Sequence, residues 1–133
     1  MSVDSISILK ERGLRVTPQR ISILDILAKG RHYTGEQVYS RIKGKIPTIS
    51  LSTVYNVLDT LEKSGLLNSF EVNGTRWYDS NIETHVNVYC EDTDEVIDLD
   101  IDLTAIMEEL KKKGIDVKKI SVVAHSSCRS NRK

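Results

Sequence analysis

The segment from Ser50 to Leu61 constrains the fold of this chain more than any other, because at helical spacing it has two chemically opposite faces. One face is apolar and carries Leu51, Val54, Leu58 and Leu61. The other face is polar and carries Ser52, Tyr55, Asn56 and Asp59. The apolar face must be buried. Small hydroxyl groups, an amide and a tyrosine ring on the opposite face are groups that read base edges and thymine methyl groups in a major groove.

The residues after this helix predict a β-hairpin. Gly65 ends the helix, and residues 66–72 and 75–78 have the composition of two strands separated by Asn73 and Gly74. Asn-Gly between two such runs is the strongest short hairpin signal. A helix with a polar reading face followed at once by a hairpin is the ending of a winged helix-turn-helix domain, which places the chain among DNA-binding proteins.

Three shorter helices are predicted before that segment. The first begins near residue 6 and ends near Gly13, while Thr17 and Pro18 supply the cap and the first turn of the second. The hydroxyl of Thr34 and the side chain of Gln37 form a capping box for the third. The residues expected to be buried on the second and third helices are Ile21, Leu24, Ile26, Leu27, Val38, Tyr39 and Ile42. Together with the longer helix and the hairpin, these elements complete a first domain over residues 1–80.

Beyond Asn81 the hydrophobic pattern becomes alternating, which predicts two strands, around residues 86–90 and 97–103. A helix capped by Asp102 or Thr104 follows and ends at Gly114, and residues 115–124 form a third strand. The fold class is therefore α+β, with an N-terminal winged helix-turn-helix domain and a small C-terminal α/β dimerisation domain over residues 84–133. At roughly 50 residues a lone core is marginal, so we expect a second copy to complete this domain in a homodimer.

The charges are divided by position, although the formal net charge is zero. Residues 1–82 contain 11 basic and 8 acidic residues, whereas residues 83–133 contain 8 basic and 11 acidic ones. The basic excess lies between Lys10 and Lys45, which suits contact with phosphate groups. Nine acidic residues and no basic one lie between Glu91 and Glu109, so that segment repels DNA.

Two broad classes of protein are disfavoured. The chain has no run of about 18 apolar residues, and its first residues lack the basic and apolar regions of a signal peptide, so we expect a cytoplasmic protein with no membrane partner. An enzyme has little support, because the chain has no Gly-rich phosphate loop and no nucleophile set beside a base.

Three motifs resemble the DNA-binding half of ferric uptake regulator proteins, namely residues 14–20 (LRVTPQR), 52–58 (STVYNVL) and 64–66 (SGL). The resemblance continues more loosely through residues 85–98. It implies a winged-helix homodimer that binds an inverted repeat in double-stranded DNA when a divalent metal is held between the two domains. It gives Tyr55 a thymine-methyl or base contact, Arg15 a minor-groove contact and Arg20 a phosphate contact. The candidate DNA-binding residues are Arg15, Arg20, Ser50, Ser52, Thr53, Tyr55 and Asn56.

The same resemblance implies one inter-domain metal site, with candidate ligands His32, Asp79, His85, Asn87 and Asp98. Nitrogen and oxygen ligands without a thiolate suit Fe(II), Mn(II) or Zn(II), of which iron or manganese is expected in the cell. Many family members have a histidine where this chain has Asn87, whose amide oxygen is a weaker ligand. A further site of some members falls on Thr84 and Val86 here and is not expected. The alternative for the candidate ligands is two structural histidines and two solvated acids.

The two cysteines are a second departure from the family. Members often hold a structural zinc with two Cys-x-x-Cys pairs, but here Thr93 and Asn131 replace the second cysteine of each pair, so no four-cysteine zinc site is expected. Cys90 and Cys128 are either two ordinary thiols or a disulfide within or between chains. The rarity of cytosolic disulfides favours the thiols. His125 is interpreted as a histidine of the C-terminal tail.

The signal that the protein senses is suggested by Asp98, because iron-sensing members tend to carry Glu at that position. Asp resembles the peroxide-sensing branch, in which bound Fe(II) reacts with hydrogen peroxide and the histidine ligands, here His32 and His85, are oxidised. Two other functions stay open. A metal-independent winged-helix regulator would bind DNA equally with a chelator and with metal. A protein-interaction module would show no salt-dependent retention on DNA.

Overall fold

The computed structural model describes residues 3–28, 32–80 and 85–131. The chain divides into two compact units, Met1–Ile82 and Glu83–Lys133. Within the described residues, each helix is too short or too polar to cross a membrane.

The helices of the first unit are α1 (Val3–Glu11), α2 (Pro18–Leu27), α3 (Gly35–Ile42) and α4 (Leu51–Lys63). The hydroxyl of Thr17 accepts a hydrogen bond from the backbone N–H of Arg20 and caps α2, as predicted. Thr34 and Gln37 form the predicted capping box at the start of α3. Both starts were readable in the sequence because the capping residues lie within one turn of each other.

The predicted hairpin consists of β2 (Asn68–Val72) and β3 (Thr75–Asp79), which pair antiparallel. The turn residues Asn73 and Gly74 have φ values of 51° and 80°, the left-handed values that this two-residue hairpin turn requires. A strand that was not predicted, β1 (Tyr33–Thr34), pairs with the other edge of β3, so the sheet order is β1-β3-β2. Because Thr34 also caps α3, this short strand joins the start of α3 to the hairpin.

The helices and β1 enclose the core of the first unit, whose fully buried side chains include Leu27, Val38, Ile42, Val54, Leu58 and Leu61. The predicted helix faces were wrong in three details, the first of which is that Tyr39 of α3 is only half-buried. On α4, Val57 is buried and Leu51 is only half-buried, because Leu51 is the first residue of the helix and its side chain points towards the helix N-terminus. On α2, Ile23 is fully buried and Ile26 is half-buried, so Ile23 takes the place in the buried face that was predicted for Ile26.

The second unit contains β4 (Val86–Cys90), β5 (Glu95–Leu99), α5 (Thr104–Lys112), β6 (Val122–Ser126) and α6 (Cys128–Asn131). The central strand, β4, pairs antiparallel with β5 and parallel with β6. The strand predicted to reach residue 103 ends at Leu99, because Leu103 is the N-cap residue of α5 and is buried there. The carboxylate of Asp102 accepts a hydrogen bond from the backbone N–H of Thr104 at 2.9 Å. The strand predicted from residue 115 begins at Val122, and α6 was not predicted.

The prediction of two ordinary thiols was wrong, because Cys90 and Cys128 form a disulfide. Cys90 ends β4 and pairs in register with Ser126 of β6, which brings the first residue of α6 alongside it. The two Cα atoms are 5.3 Å apart, within the usual range for a disulfide. The expectation rested on the cellular compartment, whereas the parallel pairing of β4 with β6 decides the geometry.

Candidate functional site

The polar face of α4 is accessible to solvent. Its exposed residues are Ser52, Tyr55, Asn56 and Asp59, and the Tyr55 side chain is 39% exposed. Asp59 forms an ion pair with Lys63 at 3.0 Å, with both side chains mostly exposed. Such a surface pair contributes little to stability and can rearrange when a charged partner approaches. The face that the sequence suggested for base recognition is therefore presented on the surface of the first unit.

Hydroxyl groups are clustered at the start of α4. Ser50 is the N-cap residue, and its Oγ accepts a hydrogen bond from the backbone N–H of Thr53 at 3.1 Å. The same oxygen lies 2.9 Å from Thr53 Oγ1 and 3.2 Å from Ser52 Oγ. These contacts order the first turn of α4, where the helix dipole and the backbone N–H groups favour a phosphate.

The two candidate arginines are close neighbours in the first unit. The guanidinium of Arg20, at the start of α2, donates from Nη1 to the backbone carbonyl of Arg15 at 2.9 Å. Arg15 is exposed and Arg20 is half-buried. This bond holds the Arg20 side chain along the loop that precedes α2, and the Arg15 side chain is exposed, so its guanidinium can reach a groove or a phosphate.

A buried hydroxyl that the sequence analysis missed connects α4 to the hairpin. Ser69 Oγ, on β2, donates to Glu62 Oε2 of α4 at 2.5 Å. The same oxygen accepts from Arg76 Nη1 of β3 at 2.6 Å. These two hydrogen bonds link Glu62, Ser69 and Arg76 and fix the last turns of α4 against both strands of the hairpin. A serine in a strand gives no local signal for such a role, because the bonding depends on how the helix packs on the hairpin.

Tyr78 of β3 lies beside the same region and is buried. Burial raises the pKa of its phenol above the ordinary value, the Arg76 cation opposes this rise, and Glu62, Tyr55 and Asp59 add to it. Tyr78 therefore stays protonated at neutral pH. It lies within electrostatic range of the polar side of α4, including Tyr55.

The first unit places two of the five candidate metal ligands together. Asp79 is the last residue of β3, and its Oδ2 lies 3.2 Å from His32 Nε2. Their side chains are 1% and 4% exposed. The His32 and Phe70 rings form a T-shaped contact, with 5.9 Å between centroids. Buried acidic side chains in proteins are commonly paired with a cation or bound to a metal ion, and this pair offers one nitrogen and one oxygen donor to such an ion.

The second unit places the other three together. His85 Nε2 lies 3.3 Å from Asp98 Oδ1 and 3.1 Å from Asn87 Oδ1. Asn87 and Asp98 are directly opposite each other in the pairing of β4 with β5. Asn87 and His85 are buried, and the Asp98 side chain is 27% exposed. One nitrogen of the imidazole, Nε2, therefore lies close to both an amide oxygen and a carboxylate oxygen, and all three atoms can bind a hard or borderline cation.

Both groups have the chemistry of a metal site. His32, Asp79, His85 and Asp98 each offer an atom that can bind an ion, and the donors are nitrogen and oxygen with no sulfur. That set suits Fe(II), Mn(II) or Zn(II). The two ligands of the first unit are too few to hold such an ion alone, since even a structural zinc takes four.

The third histidine is not a tail residue, so that interpretation was wrong. His125 lies in β6, with its side chain 46% exposed and its Nδ1 3.7 Å from Glu91 Oε1. The ring meets Tyr89 edge-on. Cys128, which follows shortly after, has its sulfur bonded to Cys90 and offers no thiolate to a metal.

Comparison with known proteins identifies the family. The model of the ferric uptake regulator family matches residues 11–125. The chain is 35% identical over 116 residues to the ferric uptake regulation protein homolog of Archaeoglobus fulgidus, covering 86% of this chain and 88% of that protein.

Solved structures of the same kind are also similar. The peroxide stress regulator of Campylobacter jejuni is 37% identical with a TM-score of 0.74, covering 94% of this chain and 95% of that one. The ferric uptake regulator of Pseudomonas aeruginosa with manganese is 29% identical with a TM-score of 0.73, covering 91% and 95%. The α+β class, with a winged-helix domain followed by a second α/β domain, is thereby confirmed. The chain belongs to the ferric uptake regulator family, whose members are transcriptional regulators and not enzymes.

Proposed function

We propose that this chain is a repressor that binds double-stranded DNA as a homodimer when it holds a divalent metal ion. The observation that carries the proposal is the pair of histidine and acid groups, one in each unit, with interatomic distances of 3.2 and 3.3 Å. Family membership indicates the class of function, and the nitrogen and oxygen donors indicate that the signal is a divalent metal ion.

One ion would take its ligands from both units, His32 and Asp79 from the first and His85, Asn87 and Asp98 from the second. Neither group alone provides enough ligands for a first-row metal, whereas the five nitrogen and oxygen donors together would occupy five positions of an octahedral shell and leave the sixth open. When bound, the ion would hold the two units in one relative orientation. DNA affinity would then depend on the metal through its higher affinity for that orientation.

The first unit would supply the DNA contacts. Tyr55, with Ser52, Thr53 and Asn56, would meet base edges in the major groove, and Ser50 would cap the helix that carries them. Arg20 would contact a phosphate, and Arg15 would reach the minor groove. The order of the first turn of α4 supports this proposal, because a reading helix must hold its side chains in place before it meets DNA.

The second unit would supply the dimer interface. Within the described residues α5 has no buried side chain, although its sequence is amphipathic. Four large apolar side chains are 44% to 50% exposed in this unit, namely Leu99, Ile101, Ile106 and Ile115. A second copy would cover them, and the dimer would present two reading helices to the half-sites of an inverted repeat.

The test is the affinity for DNA with and without metal. Operators would be selected from a random duplex pool in the presence of Mn(II), and binding would then be measured with Mn(II), Fe(II), Zn(II) or a chelator. We expect metal to raise the affinity about 10- to 100-fold. Equal affinity with a chelator would favour a metal-independent regulator, and the absence of salt-dependent DNA binding would favour a protein-interaction module.

Peroxide is the finer signal that we propose, on the basis of Asp98 and of the similarity to a peroxide stress regulator. Hydrogen peroxide would transfer one oxygen atom to the imidazole of His32 or His85 in the iron-loaded protein and leave as water. We expect mass spectrometry to show one added oxygen on a peptide that contains either histidine. The manganese-loaded protein is the control and should stay unmodified. Unmodified histidines in protein that retains its iron would contradict the proposal.

A further inference from the structure

Gly35, the first residue of α3, leaves the space into which the Tyr55 ring packs. A Cβ atom added at Gly35 would lie 2.4 Å from Tyr55 Cε1, 2.6 Å from Cζ and 2.8 Å from Oη. Carbon atoms do not approach one another so closely. The outer end of the tyrosine ring therefore rests directly on the backbone of α3, in a place that only glycine leaves open.

The backbone beneath the ring is held from several directions. Thr34, the preceding residue, pairs with Trp77 of β3 and forms the capping box with Gln37. Further along α3, Val38 and Ile42 are fully buried in the core. A side chain added at residue 35 would consequently displace the tyrosine ring, whose far end can rotate, and would leave the start of α3 in place.

This packing restricts the orientation of the Tyr55 side chain. The ring is partly covered on the side of Gly35, and the side chain remains 39% exposed. A ring that already occupies one orientation loses little rotamer freedom when it meets a base, which raises both affinity and discrimination.

We infer that Gly35 is a specificity-determining positioning residue, which sets the orientation in which Tyr55 meets DNA without itself contacting DNA. This inference rests on the proposed role of α4 in DNA recognition. It assigns part of the base preference to a residue outside the reading helix.

The test is the Gly35→Ala variant, measured on a metal-selected operator and on a copy in which uracil replaces thymine. Uracil lacks only the methyl group, so the ratio of the two affinities isolates that contact. We expect the wild type to bind the uracil operator about fourfold more weakly, which corresponds to the free energy of burying one methyl group. We expect Gly35→Ala to lose at least as much on the thymine operator and to discriminate less between the two.

In Gly35→Ala the stability of the fold should not fall together with the affinity for DNA. Alanine loses less conformational entropy than glycine on folding, and Gly35 has an ordinary negative φ, so the melting temperature should stay the same or rise. Gly44→Ala is the matched control, because the nearest atom to a Cβ added there is the Arg41 carbonyl oxygen at 3.9 Å. That variant should gain similar stability and keep the wild-type preference for thymine.

A double-mutant cycle with Tyr55→Ala completes the test. If Gly35 acts through Tyr55, the alanine at residue 35 has no further effect on DNA affinity once the ring is removed. An undiminished thymine preference in Gly35→Ala, or an equal loss in both backgrounds, would overturn the inference. A wild type that binds DNA while Tyr55→Ala has no effect defeats only this inference, whereas a wild type that binds no DNA with any metal defeats the proposed function.

Discussion

In the His85→Ala variant, metal ions should no longer raise the affinity for DNA. His85 is the residue of the second unit that touches both other candidate ligands there, with 3.1 Å to Asn87 Oδ1 and 3.3 Å to Asp98 Oδ1. Its removal would leave two oxygen donors without the imidazole that orients them. We expect the 10- to 100-fold enhancement by Mn(II) to fall to about twofold or less, measured by fluorescence anisotropy on labelled operator DNA. With a chelator, the variant and the wild type should bind DNA equally.

His125→Ala is the matched control for that variant. His125 belongs to the same unit, but its side chain is 46% exposed and lies against Glu91, away from β5. It should keep the full response to metal. Thermal unfolding gives a second readout, because a ligand that binds only the folded state raises the melting temperature. A full metal response in His85→Ala would mean that the metal acts through other residues.

The parts of the fold that the sequence predicted correctly are those decided within one or two turns of chain. Thr17 with Pro18, Thr34 with Gln37, and Asn73 with Gly74 each carry their geometry locally. β1 could not be predicted, because two residues form a strand only when β3 lies alongside them. The end of the strand before α5 was predicted too late for a related reason. Alternation continues from Leu99 to Leu103, but Leu103 is buried as the cap residue of a helix.

The family resemblance predicted which residues are candidate metal ligands, but only the structure shows which atoms these side chains contact. Register places Asn87 opposite Asp98, and packing of β3 places Asp79 against His32. These pairings cannot be predicted from the spacing of residues in the sequence, because the two members of each pair lie on different strands or loops. The roles of Ser69 and Gly35 were missed for the same reason. A small residue reveals its role only through the neighbours that pack against it.

Reduction of the disulfide between Cys90 and Cys128 should lower the stability of the second unit by about 4 kcal/mol. The bond closes a loop with a sequence separation of 38 residues, which includes β5, α5 and β6. In the chain-entropy account, a loop of this length restricts the unfolded chain by roughly that free energy. Urea unfolding followed by circular dichroism, with and without dithiothreitol, measures the difference. Cys90 is fully buried, so samples must reach equilibrium at each urea concentration.

The Cys90→Ser/Cys128→Ser variant separates the effect of the bond from that of the reductant. Its unfolding midpoint should equal that of the reduced protein and should not change when dithiothreitol is added. The Asp92 carboxylate should still hold α6 in that variant. It accepts hydrogen bonds from the backbone N–H groups of Cys128 at 3.0 Å and Arg129 at 2.9 Å. These bonds lower the pKa of Asp92, so they persist at neutral pH and are lost as the pH falls through the lowered pKa. An unchanged midpoint after verified reduction would mean that this cap and the pairing of β4 with β6 hold the C-terminal segment without the covalent bond.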